Sequence, residues 1–158
     1  MGETKKKKIS VYLGSDHAGF YLKERTKRHL AGKEIPIIDM GAYSYNKEDD
    51  YTDFIMPVAR KVAKKSNTLG IIFGGSGQGE AMAANKIKGI RCAVYYGRDE
   101  QILKLSKEHN NSNMLSIGAR FVASGKIEKI ADLWIKAKFS DKTRHKRRVK
   151  KLGKLGSV

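Results

Sequence analysis

Cysteine is nearly absent from this chain: there is one, Cys92. That excludes an intramolecular disulfide and a cysteine-built zinc site, and it suits a reducing, cytoplasmic setting. Long apolar runs are missing too, so no segment reads as a membrane span. The stretch from Met1 to Lys8 holds no apolar segment and does not read as a secretory leader. Met1-Gly2 is a weak myristoylation signal, because Lys6 stands where Ser or Thr is expected. The four histidines form neither HxH nor HExxH, and no metal or other cofactor is expected.

Acidic residues are also short, 16 against 33 Lys and Arg, which leaves a net charge of +17. The excess lies at the ends: residues 1–8 hold +3 and residues 136–158 hold +9. A basic tail can neutralise nucleic-acid phosphates, form a solvated helix face, or serve one small phosphate. The ends lack interleaved aromatics and any nucleic-acid motif. A basic nucleic-acid-binding module is therefore the rival reading, and no specific nucleic acid is expected as a partner.

What the chain does have is the stretch from Leu69 to Ile87. Leu69-Gly70-Ile71-Ile72-Phe73 reads as a buried strand, Gly74-Gly75-Ser76-Gly77-Gln78-Gly79 as a tight turn, and Glu80 opens an alanine-rich helix. Glycines let successive N–H groups converge on one point, and a helix start adds unpaired donors. This is an anion-binding corner. It is neither a Walker A loop nor a GxGxxG fingerprint. Glu80 could be no more than a helix-dipole partner.

Around it, strands alternate with helices. Ile9–Gly14, Ile35–Gly41, Leu69–Phe73, Gly89–Tyr96 and Asn113–Gly118 read as strands. Helical spacing marks Phe20–Leu30, Tyr51–Lys65, Arg98–His109 (Ile102, Leu103 and Leu105 inward), Lys126–Phe139 and a basic segment from Arg144 to Leu155. This predicts an α/β fold: a Rossmann-like, doubly wound, five-stranded parallel sheet of order 2-1-3-4-5 with helices on both faces. The expected organisation is a basic extension at 1–8, one domain at 9–152 and a tail at 153–158. Ligands in such sheets sit where the strand order switches, here between strands one and three, bringing Asp16-His17 to the glycine corner.

Each candidate has a plain alternative. Asp16 could be a helix cap. His109 ends a helix, where the dipole favours a cation. Arg144 and Arg148, spaced i, i+4, make either a phosphate clamp or a solvated face. Cys92, in a β-branched and aromatic strand, reads as inert packing.

The motifs Gly14-Ser15-Asp16-His17-Ala18-Gly19, Gly74 to Glu80, Ala83-Ala84-Asn85-Lys86, Gly89-Ile90-Arg91, Glu108-His109-Asn110-Asn111, Gly118-Ala119-Arg120 and Arg144-His145-x-x-Arg148 together resemble the type B ribose-5-phosphate isomerase family. That family includes galactose-6-phosphate and allose-6-phosphate isomerases. The resemblance spans about residues 9–152. It implies a metal-independent aldose–ketose isomerisation through an enediolate, with ribose 5-phosphate expected as substrate and a six-carbon sugar phosphate as the alternative. Gly74 and Glu80 resemble the subgroup with a Glu base, not the one with a Cys before the turn. By the same resemblance, Asp16 assists ring opening with His109 as a second participant. Ser76 and the N–H groups of Gly75, Gly77 and Gly79 hold the enediolate oxygens. His17, Asn110, Arg120, Arg144 and Arg148 bind the substrate, Arg120 reaching in from a partner subunit. A homodimer with shared sites, or a tetramer of them, is the implied assembly.

Overall fold

The computed structural model describes residues 8–156, so Lys5 to Lys7 of the basic extension lie outside the described residues. The elements run β1 (Ser10–Ser15), α1 (Phe20–Ala31), β2 (Ile37–Asp39), α2 (Tyr51–Lys64), β3 (Thr68–Gly74), α3 (Gln78–Ala84), β4 (Cys92–Tyr95), α4 (Gln101–Asn110), β5 (Met114–Gly118), α5 (Ile127–Lys136) and α6 (Thr143–Leu152). All five strands are parallel. Period-two alternation sends Val11, Leu13, Ile71 and Phe73 to one face, where α1, α4 and α5 bring Leu30, Leu103, Ile130 and Trp134. Tyr12 and Ile72 face the other side, under Ile55, Val58, Val62 and Ala84 of α2 and α3.

The strand order corrects the sequence expectation. It is β2-β1-β3-β5-β4, with β4 at the edge and β5 paired to β3. The chain steps over one position from β3 to β4 and returns to fill it with β5. Right-handed crossovers then explain the layers. Moves in one direction put α2 and α3 on one face; moves in the other put α1 and α4 on the opposite face. Burial accounts for which strand is central: every residue of β5 is buried, whereas three of the four in β4 are only partly so.

Other departures are smaller. β2 is three residues long rather than seven. In α4 the buried residues are Leu103, Ser106 and Lys107, while Ile102 is exposed. Ser106 and Ser112 are held by the Trp134 Nε1–H, and the Lys107 ammonium lies 4.0 Å from that indole ring.

Lys23 is fully buried in α1, its ammonium 2.9 Å from Asp39 and 2.8 Å from Glu24. Burial pushes the Asp39 carboxyl up, but hydrogen bonds from Lys23 and Lys27 outweigh it and hold the group below its ordinary range. This carboxylate adds stability above the usual Asp range, and that stability is lost as pH falls through the depressed value. Lys23→Met should lower the unfolding free energy by about 3 kcal/mol in urea at neutral pH, since it strips one partner from a buried pair. The difference should shrink in acid.

Candidate active site

Three loops meet at the carboxyl ends of β1, β2 and β3. Gly77 takes φ +76°, a left-handed turn that glycine tolerates, and starts α3 as its N-cap. The turn is closed by the Ser116 hydroxyl donating to the Gly77 carbonyl at 2.5 Å, and by Ser76 Oγ accepting the Gln78 N–H at 3.3 Å. Glu80 sits in the first turn of α3 and is 4 % exposed. Its carboxylate folds back over Gly74, so that a Cβ on Gly74 would overlap it. Burial pushes the Glu80 carboxyl up, the charge of Asp16 adds to the shift, and Arg120 opposes it.

Asp16 follows β1 and is 7 % exposed, its Oδ1 accepting the Gly19 N–H at 3.1 Å. Burial raises this carboxyl too, against the hydrogen bond from Gly19. His17 is pinned by Asp49, and Tyr51, the first residue of α2, rests against Gly79. Asp16, His17 and Asp49 offer ligand atoms within 4.8 Å of one another, but His17 Nδ1 is already hydrogen-bonded to Asp49. Asp49 and Tyr51 were not among the sequence candidates. Asp49 belongs to the loop after β2 and Tyr51 opens α2 at the end of that loop, and the approach of both depends on tertiary packing.

Arg120 lies within this cluster. Because β5 pairs with β3, the Ala119 N–H donates to the Gly74 carbonyl at 2.8 Å and the Arg120 N–H to the Gly75 carbonyl at 3.1 Å. The Arg120 guanidinium lies against Gly75. The resemblance implies that Arg120 comes from a partner subunit; the strand order instead puts it beside the glycine corner of its own chain. Gly118 makes the approach possible, since a Cβ there would come within 2.5 Å of the Ser76 carbonyl oxygen.

Four candidates lie elsewhere. α4 runs back along the sheet, so His109 and Asn110 end at the amino ends of β4 and β5. The contacts agree: the Asn111 carbonyl accepts from Arg91 Nε at 2.8 Å, and Arg91 immediately precedes β4. The His145 ring packs 4.4 Å from the His109 ring, and the Ser140 N–H donates to the Glu108 carbonyl at 3.1 Å. α6, with Arg144 and Arg148 exposed, is therefore anchored at that end. A five-residue strand spans about 17 Å, so His109, Asn110, Arg144 and Arg148 are separated from Glu80 by roughly the depth of the sheet. The sequence candidates therefore fall into two groups at opposite ends of the sheet.

The Cys92 thiol is pushed up by burial, with the Glu80 charge adding to the effect. That is the wrong direction for a nucleophile. Among the described residues, no helix is long and apolar enough to cross a membrane.

Comparison with known proteins gives one consistent result. A family model described as ribose/galactose isomerase matches residues 11–152. Ribose-5-phosphate isomerase B of Mycobacterium tuberculosis (strain H37Rv) is 40% identical over 141 residues, covering 89% of this chain and 86% of that protein. A crystal structure of ribose-5-phosphate isomerase B from Mycoplasma genitalium with bound ribulose 5-phosphate superposes with a TM-score of 0.86 at 39% identity, covering 91% of this chain and 93% of that one. The ribose 5-phosphate isomerase of Thermotoga maritima gives a TM-score of 0.86 at 33% identity, covering 93% of this chain and 99% of that one.

Proposed function

The chain belongs to the ribose/galactose isomerase family, and from that premise we infer that it interconverts D-ribose 5-phosphate and D-ribulose 5-phosphate in the cytoplasm. The observation that carries the mechanism is the Glu80 carboxylate, buried and folded over Gly74 beside the glycine corner. The bound aldose has an acidic C–H next to its carbonyl. Glu80 removes that proton from C2, leaving an enediolate, and returns it to C1, while the hydroxyl proton on O2 passes to O1 and C2 becomes the carbonyl. A carboxylate raised above its ordinary range is a stronger base than one in water. The N–H groups of Gly75, Gly77 and Gly79, with the Ser76 hydroxyl, supply the donors for the negative charge that develops on oxygen. Asp16, raised by burial, is suited to carry the proton that moves when the sugar ring opens. Gly74 belongs with a Glu base, since any side chain at 74 would occupy the place of the carboxylate.

The phosphate supplies remote binding energy that fixes the sugar against these groups. His17 and Arg120 stand in the same half-site as Glu80. Arg144 and Arg148 suit a dianion but stand at the far end of their own chain, with His109 and Asn110. A second copy, related by a two-fold axis, would bring its His109, Asn110, Arg144 and Arg148 to the first copy's Asp16 and Glu80, and the reverse. The active unit is therefore a homodimer with two shared sites. It departs from the sequence expectation in which residues cross: Arg120 works at home and the α4–α6 set is exchanged.

Substrate choice is tested by a coupled assay with ribose 5-phosphate, allose 6-phosphate and galactose 6-phosphate. Ribose 5-phosphate should show the highest kcat/KM, by about tenfold or more. A six-carbon sugar phosphate in first place would overturn the five-carbon reading.

A further inference from the structure

Asp49 is unusual for its place in the fold. It sits on the loop between β2 and α2, where residues 43–48 are all exposed, yet its own side chain is 7% exposed. It does not cap α2, a position held by Asp50. Its Oδ1 accepts two hydrogen bonds from one residue 32 positions away: the His17 backbone N–H at 3.1 Å and ring Nδ1 at 2.7 Å. Its Oδ2 is buried without a partner among the described residues. Holding a carboxylate in such a place is costly unless a specific group offsets it. His17 is that group.

We propose that Asp49 is a positioning residue for substrate phosphate, acting through His17. The proposal rests on the reading that His17 binds the phosphate. With its Nδ1–H donated to Asp49, the imidazole has one orientation, and Nε2 is the nitrogen left to meet the substrate. The Tyr45 ring stands edge-on to it, 6.1 Å between centroids. A proton on Nε2 then makes the ring a donor at both nitrogens, one to Asp49 and one to a phosphate oxygen. The third group, Asp16, keeps its own oxygen on the Gly19 N–H and is left free for the sugar.

A double-mutant cycle tests this, read by steady-state kinetics and by calorimetry with inorganic phosphate. His17→Ala and Asp49→Ala should each raise KM for ribose 5-phosphate and weaken phosphate binding about tenfold, the effect of one lost charge-assisted hydrogen bond. KM should rise by a larger factor than turnover falls. The double variant should be no worse than His17→Ala alone, because Asp49 acts through the ring. Asp49→Asn, which keeps an acceptor oxygen, should recover part of the loss. In ¹⁵N-histidine spectra His17 should stay protonated at Nδ1 in the wild type and in Asp49→Asn, and lose that preference in Asp49→Ala. If Asp49→Ala does not fold, the spectrum of Asp49→Asn decides: a His17 ring not protonated at Nδ1 overturns the proposal. Additive losses in the double variant, or normal phosphate affinity in folded Asp49→Ala while His17→Ala is impaired, overturn it with the phosphate reading intact. Normal affinity in His17→Ala overturns the phosphate reading of His17 itself.

Discussion

Glu80→Gln is expected to lower turnover by about 10²-fold or more, and Gly74→Ala is expected to lose a comparable amount although it removes no functional group. The first keeps the shape of the side chain and takes away the base. The second adds a methyl group where the Glu80 carboxylate lies, so the base must swing out of line with the glycine corner. Cys92→Ser should leave turnover near wild type. The two inactive variants differ in stability. Glu80 is raised by burial in the folded state, so the folded chain holds its proton to higher pH than the unfolded chain does. Stability from this group is complete below the ordinary carboxylate range and falls as pH rises through the raised value. Glu80→Gln removes that loss and should unfold at a higher temperature than wild type near neutral pH, with the gain vanishing near pH 4. Gly74→Ala gains nothing of the kind. For the wild type, turnover should fall as pH drops through the raised Glu80 value, so its acid limb lies above the ordinary Glu range. Near-normal turnover in Glu80→Gln, or an acid limb at the ordinary position, contradicts Glu80 as the base.

The local parts of this fold were legible because their signals are local. The apolar run before Gly74, the small residues of the turn and the alternation of strand and helix patterns each sit within a few residues of chain. Strand order is different: it depends on which strand packs on both faces, and Cys92–Tyr95 reads much like Met114–Gly118 until burial is known. The placement of Arg120 went with it. A residue just past β5 is remote if β5 is an edge and adjacent to Glu80 if β5 pairs with β3. The distance of His109 from Glu80 follows from helix polarity, since a helix that returns to start the next strand must end at the amino side of the sheet. His109, only a few residues before β5, carried that information. Asp49 was not legible, because one acidic residue in an acidic, polar loop carries no sign of the partner it meets 32 residues away. Nothing in the structure explains the surplus cations of α6, among them the exposed Arg147 and Lys151.

The most direct test of the shared site is subunit complementation. Glu80→Gln and a double variant, Arg144→Ala/Arg148→Ala, should each be nearly inactive as homodimers. Unfolded together and refolded at equal amounts, about half of the dimers should be mixed. In a mixed dimer one site combines both defects and the other has neither. About a quarter of all sites should be intact, and activity should rise toward that fraction of wild type. Glu80→Gln refolded with Arg120→Ala should recover nothing, because the two residues share one half-site and every site in the mixed dimer carries one defect. With mixed dimers verified by mass spectrometry, recovery in the first pairing and none in the second is the predicted result. Recovery with Arg120→Ala, or none with Arg144→Ala/Arg148→Ala, would contradict the exchange of half-sites between subunits.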